Sequence, residues 1–291
     1  MKTSLNMKSY GRRKAVDRFM RGMTVGATLL ALIPLFLILG YVLVKGASAL
    51  SWSFLSTDYK VPELSLDGGP SDVGGIRHAI IGTLIIAGSA TLMALPIGLL
   101  AGVYLSEYSG GRFSTLVRFA TDVLSGAPSI IAGVVVYIVL VQTTKQKYAF
   151  YGAAALAILM IPIIVRTTEE ILKLVPQTVR EASIALGVPK WKTTLTVVIP
   201  AALSGILTGV MLAFARAAGE TAPLLVTVFV SNSVRYNVFG DMGSLPMYIF
   251  RTLDELTDEQ QYSVLWGASF VLTALVLVVN ILVRVATRKK R

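Results

Sequence analysis

The chain has 291 residues, of which 54% are hydrophobic and only 15% charged, with a mean hydropathy of +0.70, so an ordinary soluble protein is excluded and a bilayer is called for. A formal net charge of +11 would suit nucleic acid only if the basic residues gathered on one folded soluble surface, and here they flank apolar runs instead. The absence of cysteine excludes disulfides, thiolate metal ligands and a thiol nucleophile.

Apolar segments lie at 25–44, 79–104, 119–141, 149–165, 196–230 and 263–283, and crossing ~30 Å of hydrocarbon takes roughly 20 such residues. The expectation is an all-α polytopic membrane protein of six transmembrane helices. Residues 1–24 form a cytoplasmic segment, 25–283 the membrane domain and 284–291 a basic tail. Val25 to Val44, followed by Ala47-Ser48-Ala49, is similar to a signal peptide. Its apolar core exceeds the ~7–15 residues of a signal h-region, so it reads as an uncleaved first helix.

Six spans put both termini on one side, and Lys and Arg choose the side. Nineteen of them fall on the N-terminal segment, the 105–118 loop, the 166–192 loop and the tail, against seven on the opposite loops. The positive-inside rule places the former in the cytoplasm, which predicts a multi-pass protein of a cytoplasmic membrane. The outer connections, 45–78 and 231–262, contain Gly68-Gly69-Pro70 and an acidic run through Asp254, Glu255, Asp258 and Glu259. They read either as plain solvated linkers or as a docking surface, with Ser65 and Ser231 as solvent-facing positions. His78, the one histidine, opens the second span and reads as an interfacial residue.

The cytoplasmic loop, about 166–200, is too long for a simple connector. Pro176 begins a segment whose Val179, Ala182 and Leu186 share one helical face, Gly187 suits a left-handed position after the helix, and Pro189 suits the next helix start. A short amphipathic helix on a solvated loop needs either a partner groove or the membrane surface to cover its apolar face.

In the fifth span Ala201, Gly205, Gly209, Ala213 and Ala217 recur every fourth residue, a stripe that lets helices approach closely, and Gly98 and Gly102 repeat the pattern in the second span. Beside the stripe Arg216 and Glu220 lie one turn apart in apolar sequence. A charge at mid-membrane costs at least ~2.5–3.5 kcal/mol on insertion scales, so the two should either pair, as in a packing salt bridge, or face an aqueous path. Gly219 and Pro223 predict a break in the helix there. Arg166 and Glu169 are further charged candidates, whereas Asp122 and Asn280 read as capping or cross-linking residues. The chain contains no Gly-x-x-x-x-Gly-Lys-Ser/Thr loop and no metal-ligand spacing.

Glu181-Ala182-Ser183, Gly187 and Ile199-Pro200 together resemble the EAA loop of bacterial ABC importer permeases, with Ser183, Val197 and Ile199 standing where Ala, Ile and Leu are common. The blocks Gly102 to Tyr108, Ser125 to Ser129, Arg166 to Glu169, Leu172 to Pro176, Ala185 to Lys192 and Ala215 to Leu225 resemble the phosphate-specific permeases of the PstA type. The resemblance implies a type I importer permease fold, coupling to the ATPase through Glu181, Ala182, Ser183 and Gly187, and a phosphate route past Arg216 and Glu220, with Arg166 and Glu169 as weaker candidates. It further implies a second permease subunit, two ATPase subunits that hold ATP and Mg²⁺, and an extracytoplasmic phosphate-binding protein. No cofactor is expected in this chain and no nucleic acid among its partners. Sulfate or molybdate remains an alternative cargo, since a guanidinium does not choose among oxyanions; a membrane enzyme acting on lipid would need acidic or His ligands near an interface.

Overall fold

A computed structural model describes residues 7–60, 74–254 and 259–288. In chain order these form α1 (Met7–Ser48), α2 (Trp52–Ser56), α3 (Arg77–Glu107), α4 (Arg112–Gly126), α5 (Ser129–Thr144), α6 (Ala149–Lys173), α7 (Gln177–Ala185), α8 (Lys190–Ala218), α9 (Ala222–Thr227), α10 (Leu245–Asp254) and α11 (Glu259–Arg288). Helices α1, α3, α6, α8 and α11 are long and apolar enough to cross a membrane, and α4 with α5 makes a sixth span if the bent pair is counted as one.

That bend corrects the expectation of a continuous span over 119–141. Helices α4 and α5 meet at 103°. Pro128 forces the preceding Ala127 out of the helical region, to φ −73°, ψ 135°, and the first helix stops at Gly126. Helix α4 carries its polar side inward: Ser114 and Thr121 are buried, while Phe113, Leu116, Phe119 and Val123 are exposed. An average of hydropathy over 119–141 passes across this break because it weighs composition and not backbone geometry.

At the centre of the bundle is α6, held from both sides by glycines. A β-carbon on Gly98 or Gly102 of α3 would fall 2.7 Å from Ile164 or 2.6 Å from Thr168. One on Gly205 or Gly209 of α8 would fall 2.5 Å from Ile171 or 2.3 Å from Thr167. Both expected small-residue stripes therefore serve close packing on the same helix, with Ala87, Ala90 and Ala94 of α3 completing the core. Helix α1 packs chiefly on α11, with Tyr41 edge-on to Trp266 at 4.8 Å and Val42 buried, while most of its other apolar side chains are exposed.

The connections 45–78 and 231–262, where described, are folded onto the bundle. Phe54, Ile76, Leu245, Tyr248 and Val264 form a small core there. Asp58 accepts hydrogen bonds from the Arg77 guanidinium at 3.1 and 3.2 Å and from the Val234 amide at 3.1 Å. The amides of Ala149 and Phe150 donate to the carbonyls of Gly240 and Val238. His78, at the start of α3, is 2% exposed and edge-on to Tyr248 at 5.7 Å, so its ring is packed inside the fold. Ser231, expected to face solvent, is 4% exposed because its hydroxyl turns inward to the Ser233 carbonyl. Ser65, Gly68-Gly69-Pro70, Glu255 and Asp258 lie outside the described residues.

Candidate functional site

The helix break expected at Gly219 is present: α8 ends at Ala218, the chain turns through Gly219 and Thr221, and α9 starts at Ala222 with Pro223 in its first turn. Arg216 and Glu220 face each other across this break, Nε to Oε1 at 3.6 Å. Depth follows from the packing register. Gly205 meets Ile171 and Gly209 meets Thr167, so the antiparallel pairing carried seven residues further puts Arg216 level with Met160. That level is roughly 15–20 Å from either end of α6 at ~1.5 Å per residue. At this mid-span depth the Arg216 side chain is 54% exposed, whereas Glu220 is 19% exposed. The sequence left open a packing salt bridge or a face on an aqueous path; the fold presents the guanidinium on the surface of the single chain, in line with Ser204 and Thr208 along α8.

Arg166 and Glu169 belong to a separate cluster nearer the C-terminal end of α6. Arg166 pairs with Asp122 of α4, which fits the cross-linking reading of Asp122. Glu169 is 2% exposed and collects Arg118 of α4 at 2.9 Å, Lys173 at 2.6 Å and Arg166 at 3.7 Å. Arg118 to Glu169 and Asp122 to Arg166 are ion pairs that join the polar side of α4 to α6. Asn280 donates to the Val276 carbonyl within its own helix.

The loop helix α7 is built as the sequence implies. Pro176 precedes it, Gly187 follows at φ +82°, and the amides of Gly187 and Val188 donate to the carbonyls of Ile184 and Ser183, the Schellman arrangement that needs a left-handed residue. Pro189 then opens α8. No side chain of α7 is buried: Val179 and Ile184 are exposed, and Leu186, just beyond the helix, is exposed to 85%. Glu181 and Ala182 are also exposed, and the Ser183 hydroxyl shares a hydrogen bond with Thr193 at 2.9 Å.

Arg180 and Glu107 were not singled out by the sequence. The Arg180 guanidinium, 13% exposed, meets the Glu107 carboxylate at 2.8 Å and also donates to the carbonyls of Leu172 and Val175. Lys190 donates to the Glu107 carbonyl and lies over the Tyr108 ring. The available signal was an acidic residue ending a long apolar span, which needs a counter-ion. Its partner, 73 positions away, leaves no local trace.

A bundle of long apolar helices with a charged pair at mid-depth, and an amphipathic helix left uncovered on its basic loop, defines a membrane-embedded permease subunit. The family model described as "Binding-protein-dependent transport system inner membrane component" matches residues 94–291. The phosphate transport system permease protein PstA 1 of Mycobacterium tuberculosis is 44% identical over 272 residues, covering 90% of this chain and 85% of that one. The PstA protein of Haemophilus influenzae is 38% identical over 293 residues and covers 100% of both. Among solved structures, the inward-facing MetNI methionine ABC transporter matches 72% of this chain and 94% of its own at TM-score 0.62 and 18% identity. A bacterial alginate ABC transporter matches 96% of both at TM-score 0.61 and 11% identity; these two likenesses concern the fold alone. The chain belongs to the binding-protein-dependent transport system inner membrane component family, among its PstA-type permeases.

Proposed function

We propose that this chain is the membrane-spanning subunit of an ATP-driven importer that carries inorganic phosphate across a bacterial cytoplasmic membrane, with both termini inside. The observation that carries the reading is Arg216: a guanidinium at mid-span, beside a helix break and half-exposed on the single chain, in a protein whose relatives are named phosphate transport permeases. A charge so placed is costly against lipid and favourable against an aqueous path or a partner subunit. Its fork of donors, always protonated, matches paired phosphate oxygens. Glu220 is its resting counter-ion, displaced when the anion passes. Arg166, roughly 9 Å further in along α6, is a second cation on the same descent; Glu169 holds it and α4 in place.

The partners are a second permease of similar kind, two ATPase subunits that bind ATP and Mg²⁺, and an extracytoplasmic phosphate-binding protein. This chain hydrolyses no ATP itself. The exposed face of α7, with Glu181, Ala182, Ser183 and the Gly187 turn, supports docking into a groove of the ATPase. Extraction in mild detergent followed by identification of the co-purifying proteins tests the assembly, and radiolabelled phosphate uptake by the reconstituted complex, with sulfate and molybdate as competitors, tests the cargo. Recovery without an ATPase, or equal displacement by all three oxyanions, contradicts the reading.

A further inference from the structure

Helix α7 buries no side chain of its own, so apolar packing does not fix it to the bundle. It is held by polar contacts. The Ser183–Thr193 hydrogen bond ties it to the start of α8. Arg180 ties it to the inner ends of two other helices at once, meeting the Glu107 carboxylate, at the end of α3, with Nε at 3.2 Å and an Nη at 2.8 Å. The same guanidinium donates to the carbonyls of Leu172 and Val175, the first in the last turn of α6 and the second just beyond it. Chain connectivity already joins α7 to α6 through Leu174–Pro176, but nothing covalent joins α7 to α3 within 70 positions. Beside the pair is a cavity of about 420 Å³, whose lining includes Ser106, Lys173, Gln177, Ile184 and Lys190 together with the pair itself. Around Arg180, then, the junction is open space bridged by directed hydrogen bonds and not filled by a packed wall.

We propose that Arg180 is a positioning residue that makes α7 move with the inner end of α3, so that a displacement delivered to α7 reaches the membrane helices through Glu107 as well as through the backbone. This rests on the reading of α7 as the ATPase-docking helix. A pair that is nearly buried and bidentate resists both stretching and rotation, which a flexible exposed Lys–Glu contact does not. Because α3 packs on α6 through Gly98 and Gly102, pulling α3 carries the central helix with it. Arg180 and Glu107 thus form the non-covalent half of the linkage, and the Leu174–Pro176 turn forms the covalent half.

The test uses the purified complete transporter in proteoliposomes and reads phosphate taken up per ATP hydrolysed, a ratio that does not change with the amount of complex recovered. Arg180→Gln and Glu107→Gln should each lower it by about fivefold or more, the lower end of coupling free energies between linked sites. The charge swap Arg180→Glu with Glu107→Arg should recover part of the loss. Since the chain has no cysteine, Arg180→Cys with Glu107→Cys allows a second measurement in the same complex: bridging the two thiols with a short bifunctional methanethiosulfonate should raise the ratio, and reduction should lower it again. Unchanged ratios in both single variants, or a bridge that leaves the ratio unaltered, would overturn the role of Arg180 while leaving ATPase docking intact. Failure of the wild-type chain to bring down an ATPase would overturn both.

Discussion

Gly209 of α8 lies so close to Thr167 of α6 that a β-carbon on the glycine would sit 2.3 Å from the threonine hydroxyl oxygen and 2.6 Å from its β-carbon. Two backbones brought this near cannot admit a side chain without moving apart. Gly209→Ala should therefore cost about 1–3 kcal/mol of stability, the range of overpacking. Gly88→Ala, where nothing lies within 4 Å, should be near neutral. Thermal unfolding of the detergent-solubilised complex compares the two, and equal behaviour would show that the α6–α8 contact is looser than described.

Asp58 is the tie between the 231–262 connection and the start of α3. Burial alone would raise its pKa, but the hydrogen bonds from Arg77 and the Val234 amide, with the Arg77 charge, outweigh that and hold the carboxyl below its ordinary value of 3.8. A depressed carboxyl stabilises the fold above its unfolded pKa and loses that contribution as pH falls through the folded one. Between pH 5 and 7, on the order of those limits, the tie should be intact. Asp58→Asn should speed amide exchange over 231–241 at neutral pH, and the difference from wild type should vanish in acid below the folded pKa. A difference that persists unchanged in acid would mean Asp58 does not hold the loop by its charge.

Single cysteines read orientation without background, since the chain has none. Burial rules out Ser231 as a probe, but Tyr236 is 75% exposed in the 231–262 connection and Lys14 is exposed near the start of α1. Tyr236→Cys should react with an impermeant reagent in intact cells, and Lys14→Cys only after permeabilisation. The reverse pattern would invert the topology.

Gly187 stands at φ +82° with open space around it, so a side chain there meets no clash and the effect of substitution is purely conformational. Gly187→Val should cut phosphate uptake strongly with the chain still inserted, because a β-branched residue is a steric outlier in that region. Gly187→Asn, which tolerates left-handed backbone, should retain most of it. Equal uptake by the two variants would detach the turn from transport.

These features differ in how far the sequence disclosed them. The turn at Gly187, the break at Gly219 and the two glycine stripes were legible because each is set by residues a few positions apart. The 103° bend after Gly126 had its local signal in Pro128, but continuous hydropathy masked it. The ion pairs Arg118–Glu169 and Arg180–Glu107 join positions 51 and 73 apart, and only packing brings them together. The exposure of Arg216 was equally hidden, because periodicity places a residue on a face without saying what that face meets.

The most direct test of the account is phosphate uptake by variants of the Arg216–Glu220 pair at matched membrane levels. If the guanidinium meets the anion, Arg216→Gln should abolish most uptake and Arg216→Lys should keep part of it, since the charge remains while the fork is lost. Removing both charges, with Arg216→Gln and Glu220→Gln together, should then leave uptake as low as in the single Arg216→Gln variant. Full transport by the double variant would mean that the two charges serve only each other, and the proposed passage of phosphate past Arg216 would be wrong.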